Sequence, residues 1–212
     1  MNTIENRFIA LVSIIYGVGI AGFMIPSLHS TFLWLTPYTI LASFIFAWIF
    51  HKKWEFKHMT IVSIIGIIGF FIEYAGVKTG SIFGTYTYGK TLGNGFQGVP
   101  YLIGINWAAL VFFTSSILAG RIQNPYGASI VGASMMTMYD FFLEPVAIKL
   151  DFWIWKDGIV PFQNYIAWFI AAFLLQLLLQ LSCKPIRNKM AGAMFLIQLS
   201  FFLILYVWIQ IF

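Results

Sequence analysis

The chain has 212 residues, 60% hydrophobic and 9% charged, and a mean hydropathy of +0.87. Soluble domains carry charge on roughly a quarter of their residues, so water is excluded as the solvent for most of this chain. The formal net charge of +5 is therefore read through membrane topology rather than nucleic acid, and the single cysteine, Cys183, excludes an internal disulfide and Cys-rich metal or redox motifs.

Apolar runs recur along the whole length, and about 20 such residues cross the hydrocarbon core as a helix. Their Gly, Pro and polar punctuation predicts spans at Phe8 to Met24, Leu33 to Phe50, Met59 to Ala75, Pro100 to Ala119, Ala128 to Lys149, Tyr165 to Cys183 and Ala191 to Ile211. The first run is long for a signal peptide and has no small-x-small cleavage signal before Pro26, so it is kept as a spanning helix. Pro37 is expected to kink the second helix or delay its start. The expected fold is an all-α integral membrane protein, one domain over residues 1–212, a bundle of about seven transmembrane helices with six as the alternative count.

Threading seven helices in turn places Arg7, Lys52, Lys53, Lys57, Arg121, Lys184, Arg187 and Lys189 on one side and Lys78, Lys90, Lys149 and Lys156 on the other, eight against four of the 12 basic residues. The excess marks the inner side of a cell's inner (cytoplasmic) membrane, with the N-terminus inside and the C-terminus outside. Two long connections, Gly76 to Val99 and Leu150 to Asn164, fall on the outer side and are aromatic and glycine-rich rather than charged. They are expected at the interface or dipping into the bundle, which requires protein or a wet cavity to satisfy their backbone groups. No strand, phosphate loop or dinucleotide fingerprint is expected there.

Glu73, Asp140 and Glu144 are acids in or at the ends of apolar spans, where an ionised side chain costs several kcal/mol, about 2.5–3.5 on the more lenient scales. They should face the bundle interior. Asp140 and Glu144 are one helical turn apart on one face, with Thr137 on the same stripe and Pro145 expected to bend the helix beside them. No basic residue sits near the middle of a span to neutralise them, which leaves a proton as the cheapest counterion. The bland alternative is that each acid only ties helices together, and for Glu73 that it faces headgroups near a helix end. Gly66, Gly69 and Gly76 put small residues on or near the Glu73 face, where packing alone explains them. His29, His51 and His58 are scattered, expected at the surface and not in the spans, so no metal site and no histidine-based triad is expected.

The stretch from Glu73-Tyr74-Ala75-Gly76 through Thr85-Tyr86-Thr87-Tyr88, followed by Leu92-Gly93 and Gly98-Val99-Pro100, resembles the CruF-like carotenoid biosynthesis family, which includes carotenoid 1,2-hydratases and bisanhydrobacterioruberin hydratases. The resemblance continues through Trp107, Asp140 with Glu144-Pro145, Trp153-Ile154-Trp155 and Pro161-Phe162-Gln163-Asn164-Tyr165-Ile166-Ala167-Trp168, roughly the middle half of the chain. Glu144 stands where the family usually has Asp, and Ile159 where it usually has Gly, with Gly158 one position earlier.

The resemblance implies hydration of the terminal C1,C2 double bond of an acyclic carotenoid, a hydro-lyase reaction with a polyene and water as substrates. It assigns catalysis to Glu73, Asp140 and Glu144, and substrate binding to Tyr86, Tyr88, Trp107, Trp153, Trp155, Asn164 and Trp168. Carboxyl acid catalysis and cation–π stabilisation suffice for this chemistry, so no cofactor or metal is expected. The expected partners are the substrate, membrane lipid and other carotenoid enzymes, with no nucleic acid. The alternatives are a lycopene-cyclase-like enzyme, a prenyltransferase using Asp140-x-x-x-Glu144, and a proton-coupled transporter or lipid-binding scaffold.

Overall fold

The computed structural model describes residues 2–51, 55–184 and 187–211. Lys52 and Lys53, two of the expected inner basic residues, lie outside the described residues. The helices are α1 (Asn2–Met24), α2 (His29–Ile49), α3 (Phe56–Thr79), α4 (Tyr101–Leu118), α5 (Pro125–Lys149), α6 (Phe162–Ser182) and α7 (Lys189–Ile211). This multi-pass membrane bundle has the helix number expected from the apolar runs. Six helices are long and apolar enough to span by composition. The seventh, α5, is about 37 Å long at 1.5 Å per residue and carries Asp140 and Glu144 in its interior face.

Several helices begin a turn earlier than apolarity predicts, because polar first turns are helical too. Asn124 caps α5, its side-chain oxygen accepting from Tyr126 N at 2.9 Å and Gly127 N at 3.4 Å, and Pro125 needs no donor at that position. Helix α2 starts at His29, before Pro37, so the expected later start is corrected: the helix runs through the proline. Helix α3 continues to Thr79 and ends at Gly80, whose φ of 65° is left-handed, so Glu73 lies inside the helix rather than at its end.

The layering follows burial. In α4, 72% of the spanning window is buried, against 22% in α1 and 11% in α2, so α4 is central and the first two helices present their apolar side chains outward. Helix α5 packs most extensively on α6, and α3 on α4. The α3–α4 crossing depends on glycine: a Cβ on Gly66 would lie 2.9 Å from Gly104 O, and one on Gly69 would lie 2.5 Å from Trp107 Cβ. Their close approach is therefore occupied by α4 itself, which is the packing reading of these residues.

The expectation of no strand is corrected. Residues Tyr86–Tyr88 (β1) pair antiparallel with Trp153–Trp155 (β4), and Gly95–Phe96 (β2) with Val99–Pro100 (β3). The register sets Tyr86 opposite Trp155 and Tyr88 opposite Trp153. Gly89 N donates to Phe152 O at 2.9 Å, and a Cβ on Gly89 would collide with the Asp151 carbonyl. The two long connections thus satisfy each other's backbone and form one cover over an end of the bundle.

The surface expectation for His51 and His58 is also corrected. Both are buried, at 3% and 2% exposure, with His58 Nδ1 3.1 Å from His51 Nε2 and Asn188 Nδ2 3.4 Å from His51 Nδ1. Their rings lie against Trp48 and Phe112 at the end of the bundle opposite the β1–β4 cover. His58 stands in the first turn of α3 and His29 opens α2, so histidines do occur in helices.

Candidate functional site

The site is built by the period-two geometry of β1 and β4. Successive side chains on a strand point to opposite faces, so Thr87 and Ile154 point outward and Tyr86, Tyr88, Trp153 and Trp155 face the bundle. The four inward rings divide between two glutamates. Glu73 Oε2 accepts from the Tyr86 hydroxyl and from the Tyr88 hydroxyl, the latter at 2.8 Å, while Oε1 accepts from Trp107 Nε1 at 3.0 Å. Glu144 Oε2 accepts from the indole nitrogens of Trp153 and Trp155, both at 2.9 Å, and Oε1 accepts from Asn164 Nδ2 at 3.1 Å.

Burial, and then the Glu73 carboxyl beside them, push the Tyr86 and Tyr88 hydroxyls far above the ordinary phenol range. Both therefore remain protonated donors. The tryptophans have only a donor to offer. Trp107 stacks on Trp168 with centroids 4.2 Å apart, and Tyr86 lies 5.0 Å from Trp155, so the donors are held by ring packing as well as by their bonds.

Glu73, Glu144, Tyr86, Tyr88, Trp107, Trp153, Trp155, Asn164 and Trp168 all line one cavity of about 20 Å³. That volume holds one water molecule. Asp140 does not line it. Its Oδ2 accepts from Asn164 Nδ2 at 2.8 Å, and its Oδ1 is buried with no partner among the described residues. Asn164, in the cavity wall, therefore ties Asp140 behind it to Glu144, while Glu73 faces Glu144 across the cavity. No three His, Cys, Asp or Glu side chains converge among the described residues in a way that would hold a metal ion.

A second, apolar cavity of about 330 Å³ lies between α1, α2, α4, α5 and α7. Tyr139 and Leu143 line it from α5, one residue before each acid, so this helix presents one face to the apolar space and the adjacent face to the acid cluster. Ile103, Asn106 and Trp153 line both cavities. On the far wall Gln198 Nε2 donates to the Tyr16 hydroxyl at 3.0 Å, and that hydroxyl is 2.9 Å from Ser43 Oγ. Ile14, Ile15 and Val18 are exposed and line the same space, so it opens sideways on the outward side of α1.

The model of the carotenoid biosynthesis protein family matches residues 34–212. The chain belongs to that family. A bisanhydrobacterioruberin hydratase of Haloarcula japonica is 30% identical over an alignment 108 residues long that covers 47% of this chain and 37% of that protein. The chain thus aligns with little more than a third of that relative's length. No solved structure matches. The carotenoid biosynthesis family match covers both glutamates and all of their donors, whereas Tyr16 and the α1 rim of the larger cavity precede it.

Sequence reasoning did not find Asn106, Tyr139 or Gln198. Asn106 and Gln198 each leave a signal, a polar residue inside an otherwise apolar span. The β1–β4 pairing has one too: Tyr-Thr-Tyr and Trp-Ile-Trp both alternate with period two.

Proposed function

We propose that this protein is a carotenoid 1,2-hydratase, adding water across the terminal trisubstituted C1,C2 double bond of an acyclic carotenoid. The observation that carries the proposal is the junction of a one-water cavity, flanked by Glu73 and Glu144, with a larger apolar cavity open to the side. A bilayer-dissolved polyene enters laterally and lays its end group against Trp153 and Ile103, where the two spaces meet. The hydratase name of the Haloarcula relative points the same way.

In the reaction a carboxyl of the Glu73, Asp140 and Glu144 set gives its proton to C2, the alkene π pair forming the new C–H bond and leaving a tertiary cation at C1. Charge develops among indole and phenol faces and beside the remaining carboxylate, which stabilise it without solvent reorganisation. Water attacks C1 and its surplus proton passes to the carboxylate, so the proton inventory is restored and one water is gained. Asn164, shared between Asp140 and Glu144, lets the two act as one proton reserve. The basic side of the bundle faces the cytoplasm in an inner membrane, with the β1–β4 cover on the opposite face.

Expression in a lycopene-producing bacterial host tests this. A product heavier by one water is expected. A cyclised product of unchanged mass would replace hydration with cyclase chemistry, and unaltered pigment would leave transport or scaffolding.

A further inference from the structure

Three side chains line both cavities, and Asn106 is the one among them with a hydrogen-bonding group not already committed to a carboxyl: Ile103 has none, and Trp153 spends its N–H on Glu144. It sits on α4 next to Trp107, whose indole N–H holds Glu73, and one turn after Ile103. It is half-buried, and its side-chain amide has no hydrogen-bond partner among the described residues. Of the other polar side chains on the small cavity, Tyr86, Tyr88 and Trp107 are bonded to Glu73, Trp153 and Trp155 to Glu144, and Asn164 to Asp140 and Glu144, while Trp168 has only a donor to offer and so could not accept from a water. An amide left free where a water-sized acid cavity meets an apolar one of about 330 Å³ is matched to a small ligand with both donor and acceptor capacity.

We propose that Asn106 holds the nucleophilic water and so decides that the cation is captured by water rather than returned to an alkene. This rests on the hydration reading above. The Asn106 carboxamide oxygen accepts one water hydrogen and a glutamate carboxylate accepts the other, which turns the water lone pair toward C1. When water attacks, the O–C1 bond forms and the proton leaves to the carboxylate. When no water is held, the same carboxylate removes a proton from C2 or from a C1 methyl, and an alkene is regenerated with no net change of atoms. Protonation therefore does not need Asn106, and capture does.

Deuterium separates the two steps. Membranes containing the protein and an acyclic carotenoid are incubated in D2O, and both the hydrated product and deuterium in recovered substrate are followed by mass spectrometry. The wild type is expected to give hydrated, deuterated product. Asn106→Leu is expected to lower hydration at least tenfold while deuterium continues to enter recovered substrate, and Asn106→Ser, which keeps a donor and acceptor, to recover part of the hydration. Hydration by Asn106→Leu within threefold of the wild type overturns the proposal. So does loss of exchange and hydration together at equal protein level, because a purely structural or acid-supporting residue would act that way. If Asn106→Leu does not accumulate in the membrane, Asn106→Met is read by the same ratio. A wild type that neither hydrates nor exchanges overturns the hydratase reading itself, a failure distinct from that of Asn106.

Discussion

Replacing Glu144 by glutamine removes the carboxyl and keeps the shape, and the hydrogen-bond geometry dictates how the neighbouring groups respond. Two of the three groups bonded to Glu144 are the indole nitrogens of Trp153 and Trp155, which can only donate. The amide oxygen of Glu144→Gln must therefore stay on the indole side, turning its NH2 toward Asn164. Asn164 then either leaves two donors facing each other or rotates its amide to offer oxygen, giving up its donation to Asp140 Oδ2. One buried donor loses its acceptor, at about 1–3 kcal/mol, a sum a seven-helix bundle with an intact core withstands. The variant is expected in the membrane at parental level with a modestly lower melting temperature. Its hydration rate should fall by at least about 10², or about 2.7 kcal/mol in the barrier, the lower end of what acid–base catalysis supplies. Pigment extraction from a lycopene-producing host, normalised to membrane protein, gives the rate, and a value within threefold of the parent would refute a chemical role for Glu144.

Asp140→Asn is expected to cost at least about tenfold, less than Glu144→Gln, because Asp140 acts from behind the cavity through Asn164; equal or greater loss in the same assay would place it on the reacting atoms. Glu73→Gln should fold, since the Tyr86 and Tyr88 hydroxyls can rotate to accept from the amide while Trp107 keeps its oxygen, and should lose at least about 10² in rate; exposed Glu55→Gln is the silent control. Cysteines introduced at Thr87 and Lys156, both exposed on the β1–β4 cover, should label from outside the cell, whereas labelling only from the cytoplasm inverts the topology. Turnover of the purified protein should survive exhaustive chelation, and activity restored by magnesium would move the chemistry to a metal-bound acidic motif. Burial, followed by the neighbouring His58, lowers His51 from 6.5 to about 4 against the opposing pull of Glu55, so the fold holds this ring neutral. Below 6.5 the unfolded chain binds a proton that the folded one refuses, so this contribution to stability is whole above 6.5 and lost as pH falls toward 4; the melting temperature should drop over that window, and less in His51→Gln.

The apolar runs by themselves determined the membrane class and a helix number of about seven, because a span in hydrocarbon needs both length and near-absence of charge. Sequence also singled out Glu73, Asp140 and Glu144, since an acid in such a span is costly unless it is used or paired. Which acids share a cavity could not be read from the i, i+4 spacing of Asp140 and Glu144: that spacing joins two residues of one helix, while the partner facing Glu144 across the cavity comes from α3. The aromatic connections were legible as unusual loops, but their function as a cover depends on the pairing of Tyr86 with Trp155 and Tyr88 with Trp153, residues far apart in the chain. His51 and His58 were misplaced for the same reason, because their flanking charges suggest a wet turn while Trp48, Phe112 and Asn188 bury them from other segments. Apolarity and charge are local properties and are carried by each segment alone. Donor direction, cavity volume and the meeting of Glu73 with Glu144 are relations between segments, and they come into being only when the helices pack.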